Sequence, residues 1–501
     1  MTTLIKNALV YDGSGAPPTT QDILIRGPYV AKVASVSREN ADEVIDATGC
    51  IVTPGFIDIT THSDHHMSLL YEPFQEDFVR QGVTTTIGGN CGVSLAPLVG
   101  GTLEAVREWG NEHRENIGWR SVREFLSILE MRGVGVNFGM LAGHTTIRRG
   151  FTKNSFRDLS EGELIAFRKT LAAAMKEGAF GLSVGLEHIH AKKTPFHELR
   201  ELFAIVARYG GVQAVHLRDS REGVVEALKE TLELAEEENA NIEISHLQPL
   251  EPYAPRYAEA VELIGRASSR HHIHFDVHPF DSVPMLMYEL LPEWFHDAYL
   301  ETMREHLKLT VLRPRLFEHF KKLPMRDIVI THVPDAALKF LEGVSVREYA
   351  IRNEQHFEEA LLSLMDMTAL RATVSAKTVD TALLSSFLAH PSSIIASNSA
   401  SFGKKEFKPI QSTATFPSFL ALASGSKLMA VETAIHKTTG LPAKKYGIAK
   451  RGLVKEGYYA DLVILADFKP KTVFINGVRV LSDEHYTPLR AGMVLRKKPN
   501  E

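Results

Sequence analysis

Two short apolar runs, each closing on a histidine and separated by one helix-length stretch, constrain the fold more than any other feature of this chain. They are Gly211-Val-Gln-Ala-Val-His-Leu-Arg218 and Asn241-Ile-Glu-Ile-Ser-His-Leu-Gln248. Between them Val224, Val225, Leu228, Leu232 and Leu234-Ala235 recur at helical spacing, so the runs read as consecutive strands of a parallel β/α series. Their C-terminal ends then face one side of the molecule, where (β/α)₈ barrels keep their chemistry. The stretch Ile87-Gly-Gly-Asn-Cys-Gly-Val-Ser-Leu-Ala-Pro97 follows the β-branched run Val83-Thr-Thr-Thr-Ile87 and delivers Cys91 to the same structural point. A lone strand-end cysteine is ordinarily a small buried hydrophobe, and a lone histidine a hydrogen-bonded core residue. Cys91, His216 and His246 together supply the thiolate and imidazole donors that zinc prefers and leave a fourth position for water.

The segments that frame these residues resemble the N-acyl-D-amino-acid deacylases (D-aminoacylases) of the amidohydrolase superfamily. The resemblance runs over almost the whole chain. It is carried by Pro54-Gly-Phe-Ile-Asp58, Gly89-Asn-Cys-Gly-Val-Ser-Leu-Ala-Pro97, Gly143-His144 with Arg148, and Gly178-Ala-Phe-Gly-Leu-Ser-Val-Gly-Leu-Glu187. It continues through His216-Leu-Arg218, Ile244-Ser-His-Leu247, Leu290-Leu-Pro-Glu-Trp294, Ala460-Asp-Leu-Val463 and Ile475-Asn-Gly477. The resemblance implies an α/β fold, a TIM-like (β/α)₈ barrel joined to a small β-sandwich built from both chain termini. The strand-and-turn character of the first and last ~50 residues agrees, with Asn476-Gly477 a strong hairpin turn. The expected division is a sandwich of residues 1–53 and 444–501 and a barrel of residues 54–443. This barrel exceeds the ~250 residues of a plain one. The excess, at about residues 287–370, is expected to cap the active-site face.

The resemblance also implies a zinc-dependent hydrolase cleaving the amide bond of N-acyl-D-amino acids or related linear amides, with one tight Zn²⁺ site at Cys91, His216 and His246. Three positions depart from the family pattern. Of two histidines expected after the first barrel strand only His62 remains, and Thr60 stands in place of the other. Asn398 occupies the position of the family's general base, an aspartate, and a neutral amide cannot accept a proton. Gln248 stands where a lysine is expected, so an anionic substrate group loses its charge complement there. His188 and His278 replace tyrosines. His62 is then the leading proton shuttle and a possible further ligand, with Asp64, His65, His66 and Glu187 behind it. Arg218, His144, Arg148, Glu187, His188, Gln248 and His278 are the candidates for substrate contact. Three readings remain open: an active single-metal hydrolase, a pseudoenzyme or metal-containing binding module, and a trap in which Asn398 replaces a native aspartate. A cyclic amide is the alternative substrate.

Composition sets the outer bounds. At 501 residues, 44% hydrophobic and net charge −5, the chain has ample core and no basic excess suited to nucleic acid. Its N-terminus reads as a strand rather than a signal peptide, and no apolar run reaches the ~20 residues of a membrane span. Two cysteines make a disulfide framework improbable, so a cytoplasmic enzyme with a small-molecule substrate is expected, its oligomeric state open.

Overall fold

A computed structural model describes residues 2–35, 41–101, 106, 118–153, 155–296 and 298–498. The β/α alternation expected from the sequence is present. Phe56–Asp58, Val83–Gly88 and Asn137–Met140 pair as a parallel three-stranded sheet. Ala142–Gly143, Gly181–Gly185, Val212–His216, Asn241–Ile244, Ile273–Val277 and Ser393–Ile395 pair as a parallel sheet of six. The chain passes from the first sheet to the second at Leu141, and a parallel bridge between Thr61 and Ser399 joins their other edges. These strands are buried at nearly every position, as parallel strands covered on both faces must be. The helix Val224–Glu237 buries Val224, Val225, Leu228 and Leu234, the stripe its periodicity marks. No helix among the described residues is long and apolar enough to cross a membrane.

Both ends of the chain enter one nine-stranded sheet, joined where Ile51–Pro54 runs antiparallel to Leu462–Ala466. The hydrogen bonding is continuous through all nine strands rather than split between two sheets. Ile5, Ile23, Val52, Leu462 and Phe474 from both halves still share one core cluster. The hairpin at Asn476-Gly477 forms with both residues at positive φ, 49° and 75°. Glycine is required there, because a Cβ on Gly477 would lie 1.9 Å from the Gly27 carbonyl oxygen.

The expected insertion is wider than residues 287–370. Ser282–Leu286 and Arg326–His332 both pair antiparallel with Thr373–Lys377, and helices between them complete a unit whose core includes Leu290, Met303, Leu316, Ile330 and Leu364. Its first strand escapes sequence reading because it is only partly buried and contains Pro284. Proline is tolerated there because the strand lies at the sheet edge.

Candidate functional site

Cys91 sits in a turn just past the strand Val83–Gly88, itself at φ 49° between Gly89 and Gly92, both at φ 78°. A Cβ on Gly89 would meet the Leu141 carbonyl oxygen at 2.1 Å, and one on Gly92 would meet Thr145 Oγ1 at 2.7 Å. The glycines therefore let this turn wedge between neighbouring strand ends. Four side chains fix it. Asp64 Oδ2 accepts from Gly89 N–H (2.7 Å), His65 Nε2 donates to the Val93 carbonyl (3.0 Å), and Ser183 Oγ accepts from Gly92 N–H (3.0 Å). Asn90 Nδ2 donates to the Ile87 carbonyl (2.9 Å) and to that of Thr61 (3.2 Å). Asp64 and His65, read from sequence as reserve proton carriers, hold the cysteine loop in place.

His216 is the last residue of its strand, and His246 lies just past the neighbouring one, turned into the left-handed region at φ 39°. Cys91 Sγ and His246 Nε2 are 3.3 Å apart, and the rings of His216 and His246 meet edge to face at 4.4 Å. One potential donor atom from each of Cys91, His216 and His246 lies within 4.8 Å of the others, and among the described residues no other group of three or more meets that spacing. The donors suit a cation. His216 Nε2 faces Glu187 Oε2 at 3.1 Å, while its buried Nδ1 has no hydrogen-bond partner. Glu187 thereby selects the tautomer that leaves Nδ1 bare for a ligand bond. Burial, reinforced by Asp276, Glu243 and Glu289, pushes the Cys91 thiol well above its usual range. A bound dication reverses that balance.

Two of the departures, Thr60 and Asn398, have structural partners. Thr60 Oγ1 donates to Asp276 Oδ2 at 2.6 Å. Asp276 lies near Glu243 on the adjacent strand; burial raises both carboxyls, and the charge of Asp276 raises that of Glu243 further. His62 Nε2 lies 2.7 Å from Asn398 Oδ1, and the amide oxygen accepts its proton. Burial, with His65 adding, pushes the His62 imidazole down to about 3. Asn398 is left-handed at φ 50°, a conformation asparagine adopts more readily than most residues.

A cavity of about 70 Å³ opens beside the cluster. His62, Cys91, His188, His216, His246 and Asn398 line it from the strand ends, and Met285, Glu289, Thr331, His332 and Thr373 from the antiparallel unit. Several candidates for substrate contact do not reach it. His144 Nε2 and Arg148 Nε both bind Glu198 Oε1, at 2.9 and 3.1 Å in the interior. Arg218 forms two hydrogen bonds to Glu230, at 2.7 and 2.9 Å, and spends its other donors on the carbonyls of Lys192 and Thr194. Gln248 and His278 tie to one another, the Gln248 amide nitrogen donating to the His278 carbonyl (3.0 Å) and its oxygen accepting from the His278 N–H (3.1 Å). Glu187 stands behind His216 rather than in the cavity. Sequence reasoning passed over Asp276, Glu243, Glu289 and His332. The first two carried a signal, a carboxylate inside the apolar runs Phe275-Asp-Val277 and Ile242-Glu-Ile244.

Comparisons with known proteins agree with this geometry. Residues 379–480 match the amidohydrolase family. The chain is 28% identical to a D-aminoacylase of Alcaligenes xylosoxydans xylosoxydans, across 99% of this chain and 97% of that protein. It is also 28% identical to an N-acyl-D-aspartate deacylase of the same organism, across 98% and 94%. A D-aminoacylase structure superposes with a TM-score of 0.81 at 26% identity over 99% of both chains, and that enzyme has a binuclear metal centre activated by one metal and attenuated by the second. With near full-length similarity, the same architecture and a cysteine–histidine cluster at the strand ends, this chain is similar to the D-aminoacylases and N-acyl-D-aspartate deacylases, and part of it matches the amidohydrolase family.

Proposed function

We propose that the protein is a zinc-dependent amidohydrolase that cleaves the amide bond of N-acyl-D-amino acids or related linear amides. The observation that carries this reading is the convergence of Cys91, His216 and His246 with Glu187 behind His216. In this reading the parallel strands close through the Thr61–Ser399 bridge as a (β/α)₈ barrel of residues 54–443, with residues 1–53 and 444–501 forming the smaller domain. Zinc at the cluster would supply an activated water and polarise the amide carbonyl. The chain's own groups do the rest. Glu187 orients His216, the left-handed turn aims His246, and the antiparallel unit shields the cavity from bulk water. A single metal is favoured because Thr60 carries no imidazole and spends its hydroxyl on Asp276, while His62 is engaged with Asn398. Within that last pair the imidazole is the one member able to gain a proton.

Metal analysis of the purified chain tests the assignment. One zinc per chain is expected, lost in Cys91→Ala and retained in Cys50→Ala, whose thiol packs against the core of the nine-stranded sheet. A fully loaded Cys91→Ala protein, or two tight metals, would overturn it. Asn398 in the general-base position favours a second reading, a binding module. Zinc retention with no hydrolysis of any N-acyl amino acid or N-acyl amino amide of either hand would favour it over the hydrolase.

A further inference from the structure

The cavity wall bears on which amide is taken. Among the described residues no lysine or arginine lines the cavity. The cations whose contacts reach the lining are committed: Arg221 donates to the backbone carbonyl of Glu289 at 2.7 Å, and Lys339, 3.4 Å from His332 Nδ1, pairs with Glu342 at 2.7 Å. The Arg221 bond fixes the segment carrying Glu289, whose carboxylate faces the cavity with Oε1 3.6 Å from His188 Nδ1. The His188 ring in turn packs edge-on against His216 at 4.9 Å. One histidine therefore separates a carboxylate from the metal cluster. A free carboxylate on the substrate would be stripped of water here without a lysine or arginine and beside a like charge.

We propose that Glu289 sets specificity, and that the preferred substrate is an acylated amine whose amine half carries no free carboxylate and presents a neutral amide or ammonium group to Glu289. This rests on reading the site as that of an amide hydrolase. The zinc-loaded chain should therefore cleave the acetyl group from N-acetyl-D-leucinamide with a kcat/KM at least about tenfold above that for N-acetyl-D-leucine, given like-charge repulsion in a partly desolvated site. Glu289→Gln should shrink that ratio by about the same factor, and Glu289→Lys should shift it further towards the acid. A purely structural role would lower both activities together and leave the ratio alone. Calorimetric titration with D-leucinamide and D-leucine gives a readout independent of turnover: the amide should bind more tightly, and Glu289→Gln should reduce the difference. If the free acid is the better substrate, or the ratio is unchanged in a folded, zinc-replete Glu289→Gln protein, the proposal fails. If neither compound is cleaved while zinc stays bound, the hydrolase reading fails instead, and the titration alone decides the role of Glu289: tighter binding of D-leucine overturns it.

Discussion

Replacing Glu187 probes the metal site through a residue that lies behind a proposed ligand. Its carboxylate is partly buried, which by itself would raise its pKa. The hydrogen bond and charge of His216, with Arg221 and Ser220, outweigh burial and hold it down at about 2, so it is ionised at any working pH. Oε2 receives His216 Nε2 at 3.1 Å and Oε1 receives Ser220 N–H at 3.4 Å. Glu187→Gln keeps an oxygen able to accept from the imidazole and removes only the charge. Glu187→Ala removes the acceptor as well, freeing the ring to rotate and to change tautomer. Loss of such an outer partner costs roughly 10- to 100-fold in metal affinity, or about 1.4–2.7 kcal/mol. The glutamine variant should fall near the lower figure and the alanine variant near the upper. Zinc dissociation constants from competition with a chromophoric chelator, read beside far-ultraviolet circular dichroism to confirm folding, would measure both. Affinities within twofold of the unaltered chain in both variants would show that His216 is not a ligand through Nδ1, and the tautomer argument would fall with it.

Three other changes test separate links. Asp461→Asn leaves Arg451, 2% exposed at its side chain, without its counter-charge in a network that also includes Asn137 and Asn476, so a stability loss of about 3–5 kcal/mol is expected. Calorimetry showing an unchanged Tm would contradict it. Gly92→Ala forces a Cβ against Thr145 Oγ1 at 2.7 Å and Gly185 N at 2.9 Å from a left-handed backbone, so the Cys91 turn must shift and zinc affinity drop. Unaltered affinity would mean the turn is not needed to place the thiolate. Asn398→Asp keeps the left-handed backbone and puts a carboxylate beside His62, and if this position is a vacated general base, hydrolysis should rise by roughly 10²–10⁴-fold. No gain over an already active chain would move the proton-accepting role elsewhere, and His62→Ala should then abolish turnover.

The cluster was legible because strand termination is a local signal. Val83 to Ile87, Val212 to Val215 and Ile242 to Ile244 are β-branched or apolar runs, and whatever follows such runs in a parallel series must lie at one end of the sheet. Side-chain direction is not local in this sense. Arg148 and Arg218 follow strand ends as His216 does, but their directions are set by Glu198, fifty residues on, and by Glu230 on the next helix, neither marked by the sequence around the arginine. Thr60 shows the same limit in reverse. In sequence it is a missing ligand, whereas in the fold its hydroxyl donates to Oδ2 of Asp276, favouring the ionised form of a carboxyl that burial pushes up. That acid pair also acts on Cys91, where both carboxyls push the thiol towards its protonated form. Lys445, buried against the carbonyls of Ile242 and His272, offsets part of that acidic load at Glu243. In the proposed reading a bound dication would add the charge that favours the thiolate at Cys91 and offsets the acids near it.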